Sequence, residues 1–199
     1  MKGVILGILA SGLITMPLLA ALKTGDKAPD FSAKASLAGK QFDFSLSAAL
    51  KKGPVVVYFY PSAFTGGCNI EAHTFAENKE KFDAAGASII GVSQDSIARL
   101  DAFSADPQYC AGRIPVASDA DGAVASSYNL TKTAARPGMK DSRGEAIDHA
   151  FTERTTFVVA QDGSIVATFS SADDKISPAD HVTKSLAAVQ LLAAKKSGK

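Results

Sequence analysis

The run PSAFTGGC ends in Cys68, with Thr65 three residues and Pro61 seven residues upstream. It follows PVVVYFY, Pro54 to Tyr60, a continuous β-branched and aromatic run that reads as a strand covered on both faces. It opens a stretch, Thr65 to Ala85, in which Cys68, Ala72, Phe75 and Phe82 fall on one stripe at helical period. A cysteine in a helix's first turn lies beside unsatisfied backbone N–H groups and the positive end of the helix dipole. Both favour a thiolate, so the chemistry on offer is nucleophilic. Strand-to-helix junctions of this kind are where parallel α/β sheets bind ligands. The two glycines allow close backbone approach to a small molecule. Thr65 is placed to cap the helix or to offer its hydroxyl to something bound near the sulfur, and Pro61 fixes the turn. A lone cysteine, by contrast, reads first as a small buried residue with Thr65 as an ordinary cap. The pattern P-x-x-x-T-x-x-C after an apolar strand is far more specific than the cysteine.

The other cysteine is Cys110, and the two permit a bridge without defining a disulfide scaffold. No C-x-x-C, C-x-x-C-H or Cys/His cluster occurs, so no metal, haem or nucleotide cofactor is implied. With 21 Lys+Arg against 20 Asp+Glu, the chain lacks the basic excess of a nucleic-acid binder. Residues 1–22 differ from the rest: after Lys2 no charge appears until Lys23. That composition reads as a secretory signal peptide, or as an uncleaved anchor just long enough to span a bilayer. Either way the domain, residues 23–195, is expected in the periplasm or another extracytoplasmic compartment, where disulfides persist. Residues 196–199 read as a frayed tail.

Positioning Cys68 requires a layered frame. Residues 25–53 alternate apolar and polar around Gly39 and turn helical near Ser45. Further strands are expected over Ala87–Ser93 and IPVASD, with helices over Ser96–Ser104, Gly122–Tyr128 and Pro178–Ala194. Two β runs flank Asp162-Gly163 in RTTFVVAQDGSIVATFSS, the mark of a hairpin. Strand–helix alternation followed by a hairpin and a closing helix implies one α/β domain, a mixed central β-sheet flanked by helices. The 23 residues from Thr131 to Glu153 show no periodicity. Their mixed charge reads as a solvated loop, or secondarily as a docking surface, with His149 exposed.

GDKAPDF, FYPSAFTGGCNIEAHTF and RTTFVVAQDGSIV together resemble the peroxiredoxins, thiol peroxidases of thioredoxin-like fold, and especially the bacterioferritin-comigratory or Q-type subgroup. The resemblance implies a peroxidatic Cys68, a peroxide pocket completed by Pro61 and Thr65, and Arg154 as the pocket's cation. Without it, Arg154 is a surface arginine at a strand end and Glu71 an acid in a helix's first turn. With it, Glu71 orients the arginine. Where many Q-type members carry a second cysteine, this chain has His73, which reads as an exposed or rim histidine. Cys110 is then the candidate resolving cysteine, 42 positions from Cys68. Two alternatives stay open: an inert Cys110 with an external thiol reductant, or a permanent bridge contributing about 4 kcal/mol. The implied partners are a peroxide and a thioredoxin-like or other dithiol reductant, in a monomer or homodimer. A thiol redox sensor without peroxidase turnover, and a non-catalytic binding domain, are the rival readings.

Overall fold

The structure, a computed structural model, describes residues 20–198. The leader expected over residues 1–22 therefore falls, up to residue 19, outside the described residues, as does residue 199 of the expected tail. Among the described residues, no helix is long and apolar enough to cross a membrane.

The chain begins with a hairpin, β1 (Ser32–Leu37) and β2 (Lys40–Ser45), and a short helix α1 (Leu46–Leu50). Then β3 (Val55–Phe59), α2 (Gly66–Ala84), β4 (Ser88–Ser93), α3 (Ile97–Ala105), β5 (Val116–Ser118) and α4 (Ala123–Ser127) alternate. The two-residue strands β6 (Lys132–Thr133) and β7 (Phe151–Thr152) precede β8 (Thr155–Val159), β9 (Ile165–Ser170), α5 (Ser171–Asp174) and α6 (Pro178–Ser197). Seven strands form one mixed sheet in the order β2-β1-β5-β4-β3-β8-β9.

β3 lies inside the sheet between β4 and β8, and all five of its residues are buried. Its alternation sorts the core into two layers. Val56, Tyr58 and then Tyr60 join α2, α3 and α6 on one side, with Phe75, Phe82, Phe103, Val182 and Val189. Val55, Val57 and Phe59 join α1 and α4 on the other, with Leu46, Ala125 and Tyr128. Each such side chain removed from water contributes roughly 1.5–3 kcal/mol. β3 pairs in parallel with β4 and antiparallel with β8, Phe59 opposite Thr155. The C-terminal ends of β3 and β4 and the start of β8 thus meet at one edge of the sheet. α6 starts sharply on a Ser177/Asp180 capping box with Pro178 in its first turn.

The α/β layering, the mixed sheet and the hairpin around Asp162-Gly163 are present as the sequence implied. Most of residues 131–153 are exposed, as expected of a solvated loop, but the segment is also anchored inward at a few points. β6 pairs with β7, closing the segment at its base, and Asp141 and Ile147 are buried within it. The carboxylate of Asp141 is taken up by Arg99 on α3 and by Arg143, so this pair of charges anchors the segment to the domain.

The turns entering β3 and β4 touch at a glycine. A Cβ added at Gly53 would stand 2.2 Å from the carbonyl oxygen of Gly86. Gly53→Ala should therefore force these backbones apart, lowering the unfolding free energy by about 1–3 kcal/mol in urea titrations.

Candidate active site

Cys68 is the third residue of α2, 2% exposed and unbridged. Thr65 is the helix's N-cap with extended backbone, but its side chain makes no capping bond. Instead Thr65 Oγ1 donates to the Ser62 carbonyl at 2.7 Å. The hydroxyl proton is thereby committed, and the oxygen's lone pairs remain to accept. Pro61 is half-buried where the chain leaves β3.

Arg154 enters between β7 and β8, next to Thr155, which pairs with the end of β3. Its Nη2 donates to Cys68 Sγ at 3.2 Å, and its Nη1 donates to Glu71 Oε2. Cys68 and Glu71 are one helical turn apart, so one planar guanidinium spans both. A Cβ at Gly67 would lie 3.2 Å from both Arg154 Nη2 and Pro178 Cγ. A side chain there would press on the guanidinium.

Glu71 is fully buried with Oε1 unpartnered. Burial pushes its carboxyl up to about 7, and the charge and hydrogen bond of Arg154 only partly oppose this. Arg154 remains a cation, since the negative charges of Glu71 and Cys68 outweigh its own burial. His181, on α6, stands 3.9 Å from Glu71 Oε1. Its Nδ1 lies 2.9 Å from Thr156 Oγ1 and its Nε2 2.9 Å from Ser171 Oγ. Burial and the Arg154 cation push the imidazole down to about 4, so at neutral pH it adds no second cation.

Cys110 lies in the turn after α3, fully buried in the core layer that also holds Cys68, Tyr58 and Tyr60. Burial, with the charge of Asp106, pushes its thiol up, so in this conformation it is protonated. His73 is exposed and lies 3.3 Å from Glu77. His149, expected to be exposed, is instead 12% exposed at its side chain and bonded to Asp95 at 2.8 Å. The segment that carries it packs back onto the end of β4. The structure thus brings Cys68, Arg154 and Glu71 into contact, with Thr65 and Pro61 on the adjoining loop and Cys110 deeper in the same layer. Asp95 and His181 escaped the sequence reading, and His149 was read there only as an exposed residue. Asp95 had a signal, since GVSQDS puts it just beyond the end of a strand beside β3; the histidines had none.

The AhpC/TSA family profile matches residues 24–168. Peroxiredoxin Bcp of Xanthomonas campestris is 33% identical over 136 residues, 68% of this chain and 76% of that protein. The crystal structure of peroxidoxin BcpB from Mycobacterium tuberculosis superposes with a TM-score of 0.70 at 30% identity, covering 85% of this chain and 97% of that one. A trapped intermediate/ligand complex of the Xanthomonas campestris bacterioferritin comigratory protein, described for its alkyl peroxide reduction activity, gives a TM-score of 0.61 at 30% identity over 80% and 91% of the two chains.

The buried carboxyl has a measurable consequence. A folded-state value near 7 against an ordinary 4.5 means that the folded protein holds this proton more tightly than the unfolded chain. The associated stability is present below pH 4.5 and is lost as pH rises through 7. Glu71→Gln cannot ionise. Unfolding free energies of variant and wild type should diverge across that window in the variant's favour, by on the order of 2 kcal/mol. Parallel curves would show that Glu71 is ionised throughout.

Proposed function

The chain belongs to the AhpC/TSA family as a peroxiredoxin of the bacterioferritin-comigratory, or Q-type, subgroup and is a thiol-dependent peroxidase, and on that premise we propose that Cys68 is the cysteine that attacks the peroxide. The observation that carries the assignment is the guanidinium of Arg154 donating to Cys68 Sγ at 3.2 Å while Glu71 holds its other nitrogen.

In this reading the Cys68 thiolate attacks the terminal oxygen of a hydroperoxide. An S–O bond forms, the O–O bond breaks, and the departing oxygen takes a proton to leave as water or alcohol. Sulfur is oxidised by two electrons to the sulfenic acid. Negative charge moves from sulfur to the leaving oxygen, and Arg154 is a fixed cation at that point. Thr65, its proton committed to Ser62, can accept from the hydroperoxide O–H. Pro61 walls the pocket without adding a backbone donor. Hydrogen peroxide and small organic hydroperoxides are the substrates; alkyl peroxide reduction by the Xanthomonas campestris relative supports the second class.

Cys110 then attacks the sulfenylated sulfur, giving a Cys68–Cys110 disulfide and water. Both cysteines are buried in one core layer, so the start of α2 must open locally for the sulfurs to meet. A thioredoxin-like or other dithiol partner returns the two electrons. The charge-free apolar stretch after Lys2 supports export into an extracytoplasmic compartment such as the periplasm, on a secretory signal or an anchor. A monomer or homodimer is the assembly proposed.

Mass measurement after stoichiometric peroxide tests the cycle. Wild type should lose two hydrogens, Cys110→Ser should accumulate a dimedone-reactive Cys68, and Cys68→Ser should consume no peroxide above background. Peroxide consumption by Cys68→Ser at the wild-type rate would sink the assignment. Gly67→Ala tests the cation separately. Its methyl group meets Arg154 and Pro178, and displacing a hydrogen bond to a charged group should lower kcat/KM for peroxide about tenfold. The thermal midpoint should move by only a few degrees.

A further inference from the structure

We infer that Asp95, held by a doubly protonated His149, is the positioning residue for the loop that presents Pro61 and Thr65 to the peroxide. The inference deepens the peroxidase reading and rests on it for its kinetic part.

The geometry starts from the imidazole. His149 Nδ1 lies 2.9 Å from the Ala150 carbonyl oxygen and Nε2 lies 2.8 Å from Asp95 Oδ1. A carbonyl only accepts, and so does an ionised carboxylate. Both ring nitrogens therefore carry hydrogen, and His149 is an imidazolium. Burial opposes that charge and so does Arg99, but the hydrogen bond and charge of Asp95 outweigh both and raise its pKa above the ordinary value. Asp95 is fully loaded in return. Its Oδ1 receives Ser62 Oγ at 3.1 Å and faces Arg99 Nε at 2.8 Å; its Oδ2 receives Ala63 N at 2.8 Å and Ser93 Oγ at 2.7 Å. Burial raises the carboxyl, but the hydrogen bond and charge of His149, with the Ala63 N–H and the Ser93 hydroxyl, outweigh it and hold the carboxyl below its usual range.

Ser62, His149 and Asp95 do not form a hydrolytic triad. Ser62 and Asp95 crowd the same ring nitrogen, at 3.3 and 2.8 Å, and Ser62 is fully buried. A triad needs the acid on the opposite nitrogen from the nucleophile. The arrangement is a clamp on backbone. Asp95 takes the Ala63 N–H, and Arg99 Nη2 donates to the Ala63 carbonyl at 3.1 Å. Ser142 N donates to the Phe64 carbonyl at 2.9 Å, and the Arg143 guanidinium lies 3.3 Å from the Phe64 ring centroid. Phe64 itself has φ +59°, a left-handed conformation that a bulky side chain keeps only when its surroundings impose it. Thr65 follows, bonded back to Ser62. The hydroxyl proposed to receive the peroxide is thus fixed by a turn whose carboxylate anchor, among the described residues, is Asp95.

The charged groups around the imidazolium are Asp95 after β4, Arg99 on α3 and, bound to Arg99, Asp141 with Arg143 on the long loop. Loss of the imidazolium proton leaves either the Ala150 carbonyl or Asp95 without its donor. Because the folded-state pKa is raised, the clamp is complete below the ordinary histidine range and weakens as pH rises through the folded value.

The test uses the full chain, wild type, His149→Gln and His149→Leu. In wild type, the Ala63 and Thr65 amide NMR signals should titrate with His149, and kcat/KM for peroxide should fall on a limb with the same pKa. Gln keeps one neutral donor, so both effects should vanish in His149→Gln. His149→Leu should lose about tenfold in kcat/KM for peroxide below that pKa, with kcat/KM for the reductant unchanged. Amides indifferent to the His149 titration, or a retained limb in His149→Gln, would overturn the assignment. The Gln profile decides the matter even where His149→Leu does not fold. Amides that follow His149 in a wild type that consumes no peroxide would support the clamp and sink the peroxidase cycle instead.

Discussion

One largely buried guanidinium has to serve two acceptors, and much of the fold follows from that demand. Arg154 reaches Cys68 only because β8 pairs antiparallel with β3, which brings Thr155 opposite Phe59 at the sheet edge where α2 begins. It fits only because position 67 has no side chain, and because Pro178 closes the far wall. It is oriented only because Glu71 follows Cys68 by one turn on the same helix face. His181 fits the same logic. A second cation beside Glu71 would draw the carboxylate away from Arg154; burial keeps the imidazole neutral and leaves the guanidinium as the local positive charge.

The reacting edge therefore contains two polar networks with separate duties. Arg154 and Glu71 set the charge at the sulfur. Asp95, Arg99 and His149 grip the backbone of the adjoining turn. They meet through residues 62–68, a single short segment, with no shared side chain among the contacts described. A change in one network can thus alter sulfur chemistry without moving the turn, and the reverse.

The parts legible from sequence share a physical basis: they are local or periodic. The alternation in β3, the stripe of Cys68, Ala72, Phe75 and Phe82, and the turn at Asp162-Gly163 are each decided within a few residues. Tertiary pairing decided the rest. Glu71 reads as a solvated acid until Arg154, 83 positions away, covers it. His149 sits in an aperiodic, charged segment, and nothing nearby announces that Asp95, 54 positions upstream, will bury it. Thr65 was expected either to cap α2 or to face a ligand. Its bond to Ser62 frees the lone pairs for the second task and leaves the helix start without a side-chain cap.

That uncapped start bears on how a buried sulfenic acid could reach an equally buried Cys110. The segment before it is pinned: Ala63 by Asp95 and Arg99, Phe64 by Ser142, Thr65 by Ser62. The segment from Phe75 onward is set in the aromatic core against Tyr58 and Phe82. Between them lie Gly66 and Gly67, which have no side chains to bury and the largest backbone freedom to regain on opening. Local unfolding begins where the fewest buried contacts must be broken. The first turn of α2 can therefore peel away at its glycines, carrying Cys68 out of the Arg154 pocket, while the loop with Pro61 and Thr65 stays in place. In the proposed cycle, the oxidation step would use the turn wound and the disulfide step would use it unwound. A helix start without a side-chain cap suits both.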